Sequence, residues 1–169
     1  MDGITGRHAM VTGGGTGIGL AVAAALTGAG ARVTVLGRRE GPLQAAMAAG
    51  KAAGFEVADV TAEGAMAAAI ARAGAPAILV NAAGAAESAP FLRTDDALWE
   101  RMLRVNLLGA VSATRAALPG MLAEGWGRVV NIASTAAMRG YPYVSAYVAS
   151  KHAVLGLTRA LAVDGGEVP

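Results

Sequence analysis

Tyr147 and Lys151 stand four residues apart in Tyr-Val-Ala-Ser-Lys, and Ser134 precedes the tyrosine by thirteen. On a helix over 145–162, positions i and i+4 share one face, so the ammonium of Lys151 lies beside the phenol of Tyr147. An unperturbed phenol titrates near pH ~10, too high for easy proton exchange at neutral pH. A neighbouring cation favours the phenolate and lowers that value. The Ser134 hydroxyl can hold a carbonyl oxygen at the same point. Together these groups suit the movement of a proton on or off an oxygen. The bland alternative is a surface tyrosine and lysine that are helix neighbours by chance.

The elements that must position these residues are legible around them. His8–Thr12 is an apolar run that reads as a buried strand. It breaks into Gly13-Gly14-Gly15-Thr16-Gly17-Ile18-Gly19 and then a helical run from Leu20 to Leu26. Strand, glycine turn and helix form the first unit of a nucleotide-binding fold. Backbone N–H groups of such a turn approach a pyrophosphate closely, and the helix N-terminus favours its charge. The strict G-x-G-x-x-G spacing fails because position 18 is Ile18, so the glycines that fit are Gly13, Gly17 and Gly19.

Farther on, strands are expected near 32–36, 54–58, 77–81 and 127–133. Helices are expected near 17–29, 41–49, 62–73, 95–118 and 145–162, with Pro119 ending the fourth. Alternating strands and helices predict a doubly wound α/β parallel sheet with right-handed crossovers. Continuous apolar strands such as Ala77-Ile78-Leu79-Val80 suit a sheet covered on both faces.

The second strand, Val33–Leu36, ends at Gly37-Arg38-Arg39. An acid here would bind ribose hydroxyls, whereas a guanidinium forks onto a phosphate. NADP(H) is therefore favoured and NAD(H) is the alternative; two solvated helix-start arginines would be the structural reading.

Composition bounds the rest. A chain of 169 residues suggests one domain over 1–169, and 54% hydrophobic residues suffice for a core. Aromatics are only 4%, so that core is Ala, Val, Leu and Ile. Cysteine is absent, which excludes disulfides and thiolate metal sites, and two histidines offer no metal-ligand spacing. A net charge of +2 with no basic cluster beyond Arg38-Arg39 does not support a nucleic-acid partner. Residues 1–7 lack a signal-peptide pattern, and no apolar run reaches the ~20 residues of a membrane span. A cytoplasmic protein is the expectation.

Thr12–Gly19, Asn81–Gly84 (Asn-Ala-Ala-Gly), Asn106, Ser134, Tyr147 and Lys151 together resemble the short-chain dehydrogenase/reductase family, in order through residues 5–162. The resemblance implies a Rossmann fold and an oxidoreductase acting on a small carbonyl or alcohol substrate, an acyl thioester among the candidates. Its catalytic set is Asn106, Ser134, Tyr147 and Lys151. Its cofactor-binding set is Gly13, Gly15, Thr16, Gly17, Ile18, Gly19, Asp59, Val60, Asn81, Ala82 and Gly84, with Tyr147 and Lys151. Arg38 and Arg39 join it from the reading above.

In the family, Asp59 contacts the adenine ring, Asn81 helps hold the central strand, and Asn106 anchors a water connecting Lys151 to solvent. The structural alternatives are a turn-forming Asp59, a capping Ser134 and a buried Asn106 bonded to backbone. Met138, Arg139, Tyr141, Pro142 and Tyr143 are expected along the substrate pocket, with Glu87 and Phe91 facing the same space. Ile-Ala-Ser-Thr and Gly-Leu-Thr-Arg-Ala-Leu-Ala resemble 3-oxoacyl-thioester and polyketide ketoreductases, and also hydroxy-acid and cyclic alcohol dehydrogenases. Helices 95–118 and 145–162 imply a homodimer or homotetramer.

Family members continue past the Tyr-Lys helix with a sixth strand, a lid and a seventh strand. Here Val163-Asp164-Gly165-Gly166, which resembles the family's last segment, follows at once. The expectation is an internal stretch missing near 160–163. It is either a true deletion or a join across absent residues. The second is favoured, because a deletion leaves the apolar strand Arg128–Ala133 at an exposed edge.

Overall fold

The structure, a computed structural model, describes residues 3–164. Five parallel strands, β1 (His8–Thr12), β2 (Arg32–Gly37), β3 (Gly54–Val57), β4 (Ile78–Asn81) and β5 (Arg128–Asn131), form one sheet in the order β3-β2-β1-β4-β5. Helices α1 (Gly17–Gly28), α2 (Glu40–Ala48), α3 (Ala65–Ala73), α4 (Asp96–Leu103), α5 (Gly109–Ala123) and α6 (Ser145–Asp164) connect and follow them. This is the expected doubly wound sheet. The chain steps outward from β1 to β3 and then returns to β4, so the crevice between β1 and β4 is the switch point where such sheets bind ligands.

Side chains alternate across the sheet. Ala9, Val11, Val33, Val35, Ile78 and Val80 pack with Ala23 of α1 and Leu43 of α2 on one face. Met10, Leu36 and Leu79 pack with Met66, Ala69, Ala113, Ala117 and Met121 on the other. Every residue of β1 and β4 is buried, which explains the apolar stretches Ala9–Val11 and Ile78–Val80. β5 differs: its residues alternate between exposed and half-buried, and Val130 is 46% exposed. Among the described residues β5 pairs only with β4, so it forms one edge of the sheet.

The expected helix over 95–118 departs in two ways. It is interrupted at Arg104–Leu108 by a widened π-turn centred on Asn106. It also does not stop at Pro119, which lies inside α5. A proline inside a helix costs ~3 kcal/mol. Burial of the Met121 side chain against the sheet returns a comparable ~1.5–3 kcal/mol. The stop falls instead at Gly125, whose φ of 62° closes the helix as its N–H and that of Glu124 cap the Leu122 and Gly120 carbonyls. Residues 160–163 lie within the last turns of α6, while Gly165 and Gly166 fall outside the described residues.

Candidate active site and nucleotide cleft

The turn after β1 is built by exclusion of side chains. Gly13 has φ 67°, and a Cβ there would stand 2.9 Å from the Ala83 backbone. A Cβ at Gly19 would overlap the Gly13 carbonyl oxygen, and one at Gly14 would stand 2.6 Å from Val35 Cγ1. The glycines thus let the turn, β2 and the Asn81–Gly84 segment close onto one another. Thr12 completes the joint, because its Oγ1 accepts from the Ala82 and Ala83 N–H groups at 3.2 and 3.1 Å. At the start of α1, Thr16 makes no side-chain cap and the first turn holds no acid. The positive end of α1 is left for an outside anion.

Gly13, Gly15, Thr16, Arg38, Arg39, Asp59, Val60 and Gly84 line one cleft across the C-terminal ends of the strands, joined by Gly37 and Val105. Of the other nucleotide residues expected, Gly17 and Gly19 lie in the first turn of α1, against the glycine turn. Ile18 is 63% exposed beside it. Asn81 is buried and does not line the cleft. Its Nδ2 donates to Asn131 Oδ1 of β5 at 2.8 Å and to Thr114 of α5 at 3.2 Å, so it ties β4 to the edge strand and to the helix packed over it. Asp59 accepts from the Thr61 N–H and hydroxyl at 2.9 and 2.8 Å. Burial alone would raise its pKa, but those two bonds and the Arg38 charge hold it below the usual carboxylate range. It is both a turn former and a wall of the cleft.

Across Gly84 the cleft meets the residues expected to handle a proton. A Cβ on Gly84 would stand 3.1 Å from Asn106 Oδ1 and 3.7 Å from Lys151 Nζ. Asn106, buried in its π-turn, clamps the Ala85 peptide: Oδ1 accepts from the Ala85 N–H at 2.8 Å, and Nδ2 donates to the Ala85 carbonyl at 2.9 Å. The same Nδ2 donates to Ser150 Oγ at 2.9 Å, and Ser150 donates to the Tyr147 carbonyl at 2.7 Å. The widened turn is what lets a helical amide reach a peptide 21 positions away.

Lys151 is buried and donates to the Ile132 carbonyl at 2.8 Å. Its Nζ lies 5.8 Å from the centre of the Tyr147 ring, within cation–π range. Burial pushes its pKa below the usual lysine value. Tyr147 itself packs on Leu98, Met102 and Ala146, which fixes the ring between α4 and α6. Ser134 caps the short 3-10 turn Thr135–Ala137, accepting the Ala136 N–H at 3.1 Å. Its own hydroxyl proton is therefore available to an outside oxygen. That turn packs against α6, which carries Tyr147 and Lys151.

Sequence reading missed the parts played by Thr12 and Ser150. Thr12 sits inside the quoted Thr12–Gly19 motif, where a hydroxyl among glycines was a signal. Ser150 sits inside Tyr-Val-Ala-Ser-Lys and gave no signal, since its partner Asn106 is distant in sequence. Among the described residues no group of His, Asp and Glu could hold a metal, and no helix is long and apolar enough to cross a membrane.

The sheet order, the glycine cradle at its switch point and the adjoining Tyr-Lys pair define a dinucleotide-binding α/β protein of the Rossmann type. Comparison with known proteins makes this specific. The chain belongs to the short-chain dehydrogenase family, whose pattern matches residues 7–168. It is 43% identical over 168 residues to galactitol 2-dehydrogenase (L-tagatose-forming) of Cereibacter sphaeroides, covering 95% of this chain and 66% of that protein. It is 36% identical over 169 residues to D-beta-hydroxybutyrate dehydrogenase of Cupriavidus necator, with the same two coverages, 95% and 66%.

Among solved structures, a variant of actinorhodin polyketide ketoreductase with NADPH superposes with a TM-score of 0.87 at 36% identity, covering 94% of this chain and 65% of that one. A gluconate 5-dehydrogenase from Burkholderia cenocepacia, in complex with NADP and tartrate, superposes with a TM-score of 0.88 at 36% identity, covering 95% and 66%. The chain thus spans 66% of the length of these curated relatives.

Proposed function

We propose that the protein is an NADP(H)-dependent oxidoreductase that interconverts a ketone and a secondary alcohol. The observation that carries this reading is the Lys151 ammonium. It is buried, has no carboxylate partner within the described residues, and is fixed by one carbonyl beside the face of Tyr147. A structural lysine at that depth would be paired, whereas a catalytic one is held for its charge.

The cleft fits the cofactor. The backbone of Gly13–Gly19 and the free end of α1 would hold the pyrophosphate, Arg38 and Arg39 the ribose phosphate of NADP, and Asp59, Val60 and Asn81–Gly84 the adenosine half. Bound nicotinamide supplies or accepts the hydride. In reduction Tyr147 gives its proton to the carbonyl oxygen, and in oxidation it removes one from the alcohol. Ser134 donates its free hydroxyl proton to that oxygen and stabilises developing charge. Lys151, with one N–H on the Ile132 carbonyl, would offer its remaining donors to the ribose of a bound nicotinamide and its charge to the phenol. Asn106 fixes Ser150 and the Ala85 peptide beside them, and a water anchored there would link Lys151 to solvent. The assembly in this reading is a homodimer or homotetramer.

Tyr147→Phe tests it. Turnover of a ketone with NADPH should fall by ~10²–10⁴, the usual share of general acid catalysis, while NADPH affinity stays within about twofold. Retained turnover would remove Tyr147 from the mechanism. The second reading is a nucleotide-binding module without turnover. It is favoured by the half-exposed edge strand β5, where Val130 is 46% exposed. NADPH binding by a wild-type chain that reduces nothing would support it.

An absent internal stretch near 160–163 of a single 1–169 domain remains part of our reading. An intact mass several kilodaltons above 16.7 kDa would support a join across absent residues, and a mass at that value a true deletion.

A further inference from the structure

The loop between Ser134 and Tyr147 carries a cation that nothing in the proton-handling site uses. Arg139 lies two residues beyond the turn that Ser134 caps, and its N–H bonds back to the Thr135 carbonyl at 3.3 Å. Its Nε donates to the Tyr141 hydroxyl at 2.7 Å, and Tyr141 donates in turn to Thr135 Oγ1 at 2.9 Å. The guanidinium carbon sits 4.9 Å from the Tyr141 ring centre. An exposed arginine normally samples many rotamers, but this one is held at Nε and against a ring, which leaves both terminal nitrogens as a fixed fork.

No carboxylate takes that fork. Among the described residues Glu87 pairs with Arg101 and Glu56 with Arg72, and neither reaches Arg139. The loop crosses toward the segment after Asn81–Gly84, because the Ala89 N–H donates to the Tyr143 carbonyl at 2.8 Å. The one acid on that segment, Glu87, is neutralised by Arg101, so an anion between the two walls is not opposed there. We propose that Arg139, positioned by Tyr141 and Thr135, binds the carboxylate of the substrate, which makes the substrate class a short oxo acid or hydroxy acid. This rests on the oxidoreductase reading for the reaction itself, but the anion site has its own readout.

Two measurements test it on the full chain with NADPH. The first compares kcat/KM for acetoacetate with that for methyl acetoacetate, which shares the skeleton without the charge. Loss of a bidentate charge-assisted pair should lower this ratio ~10–100-fold in Arg139→Gln, mostly through KM for the acid, and Arg139→Lys should recover part of it. The second is calorimetric binding of malonate, which should weaken at least ~10-fold in Arg139→Gln and persist in Tyr147→Phe. An unchanged ratio, or malonate bound equally by wild type and Arg139→Gln, overturns the anion site. If the wild type reduces neither substrate but malonate binding still depends on Arg139, the anion site stands and the oxidoreductase reading fails.

Discussion

The two walls of the site are made differently. The proposed nucleotide wall, from β1 and its glycine turn through β2 to Asn81–Gly84, is closely packed around backbone. β1 and β4 are wholly buried, and Gly13, Gly14 and Gly19 leave no room for a methyl group. The proposed substrate wall, from β5 through the 138–143 loop, is side chains on an open surface, with Met138 77% and Tyr143 65% exposed. A pyrophosphate is the same in every reaction, so a rigid frame of N–H groups can recognise it. A substrate varies, and its recognition falls to loop side chains that change without disturbing the core. Substitutions in the first wall should therefore damage binding and fold together, and those in the second should alter selectivity alone.

The sharpest way to break this contrast is Gly19→Ala. The new methyl must displace the Gly13 carbonyl, and overpacking against backbone costs ~1–3 kcal/mol. At ~2–4 °C per kcal/mol the melting temperature should drop by several degrees. NADPH affinity should fall ~10–100-fold, as read by calorimetry. Wild-type affinity in this variant would show that the turn is less rigid than its packing implies.

Asn106→Ala should come next, because Asn106 stands between the walls. It strands the Ala85 N–H and carbonyl, at ~1–3 kcal/mol for each buried group left unpaired. Thermal unfolding should report the loss, and turnover should fall with it. Asn106→Asp keeps the acceptor for the Ala85 N–H but turns a second oxygen on the Ala85 carbonyl, so it should not recover the wild-type melting temperature.

Arg38→Ser should be gentler to the fold. Arg38 is exposed in the cleft, so stability should hold within ~0.5 kcal/mol. If Arg38 holds the ribose phosphate as proposed, preference for NADPH over NADH should fall ~10–100-fold with the loss of one charge-assisted contact. An unchanged preference would assign that choice to Arg39 or elsewhere.

What the sequence disclosed follows from the same contrast. The glycine turn was legible because steric exclusion writes itself as glycine, and the Tyr147–Lys151 pair because helical period fixes i and i+4. The π-turn at Arg104–Leu108 was not legible. It forms because Asn106 finds the Ala85 peptide, and no local pattern encodes a tertiary partner. Pro119 misled for a related reason: local propensity marked an end, but packing of Ala113, Ala117 and Met121 in the core carries the helix past it. β5 read as uniformly apolar because Val129, Val130, Ile132 and Ala133 are so, yet its position at the edge leaves Val130 half exposed.

The smallest effect tests the rigid wall from its far end. His8 begins β1, away from the glycine turn, and is 7% exposed. Its Nδ1 faces the Ala75 carbonyl at 3.3 Å and its Nε2 the Thr34 hydroxyl at 2.9 Å. A carbonyl only accepts, so Nδ1 carries the proton and Nε2 accepts from Thr34. Burial, and then the Arg32 charge opposite it on β2, push its pKa below the usual 6.5, and the Ala75 and Gly74 carbonyls offset this only in part. Between the folded pKa and 6.5 the unfolded chain binds a proton that the folded chain does not. Stability therefore rises with pH across that window and is lost as pH falls through it, with a slope of at most one proton. Urea unfolding at pH 5 and 7 should show a smaller difference for His8→Gln than for wild type. NADPH affinity should change with pH equally in both, because the imidazole lies at the opposite end of β1 from the cleft. An unaltered pH slope in His8→Gln would mean that the buried wall takes its acid sensitivity from another group.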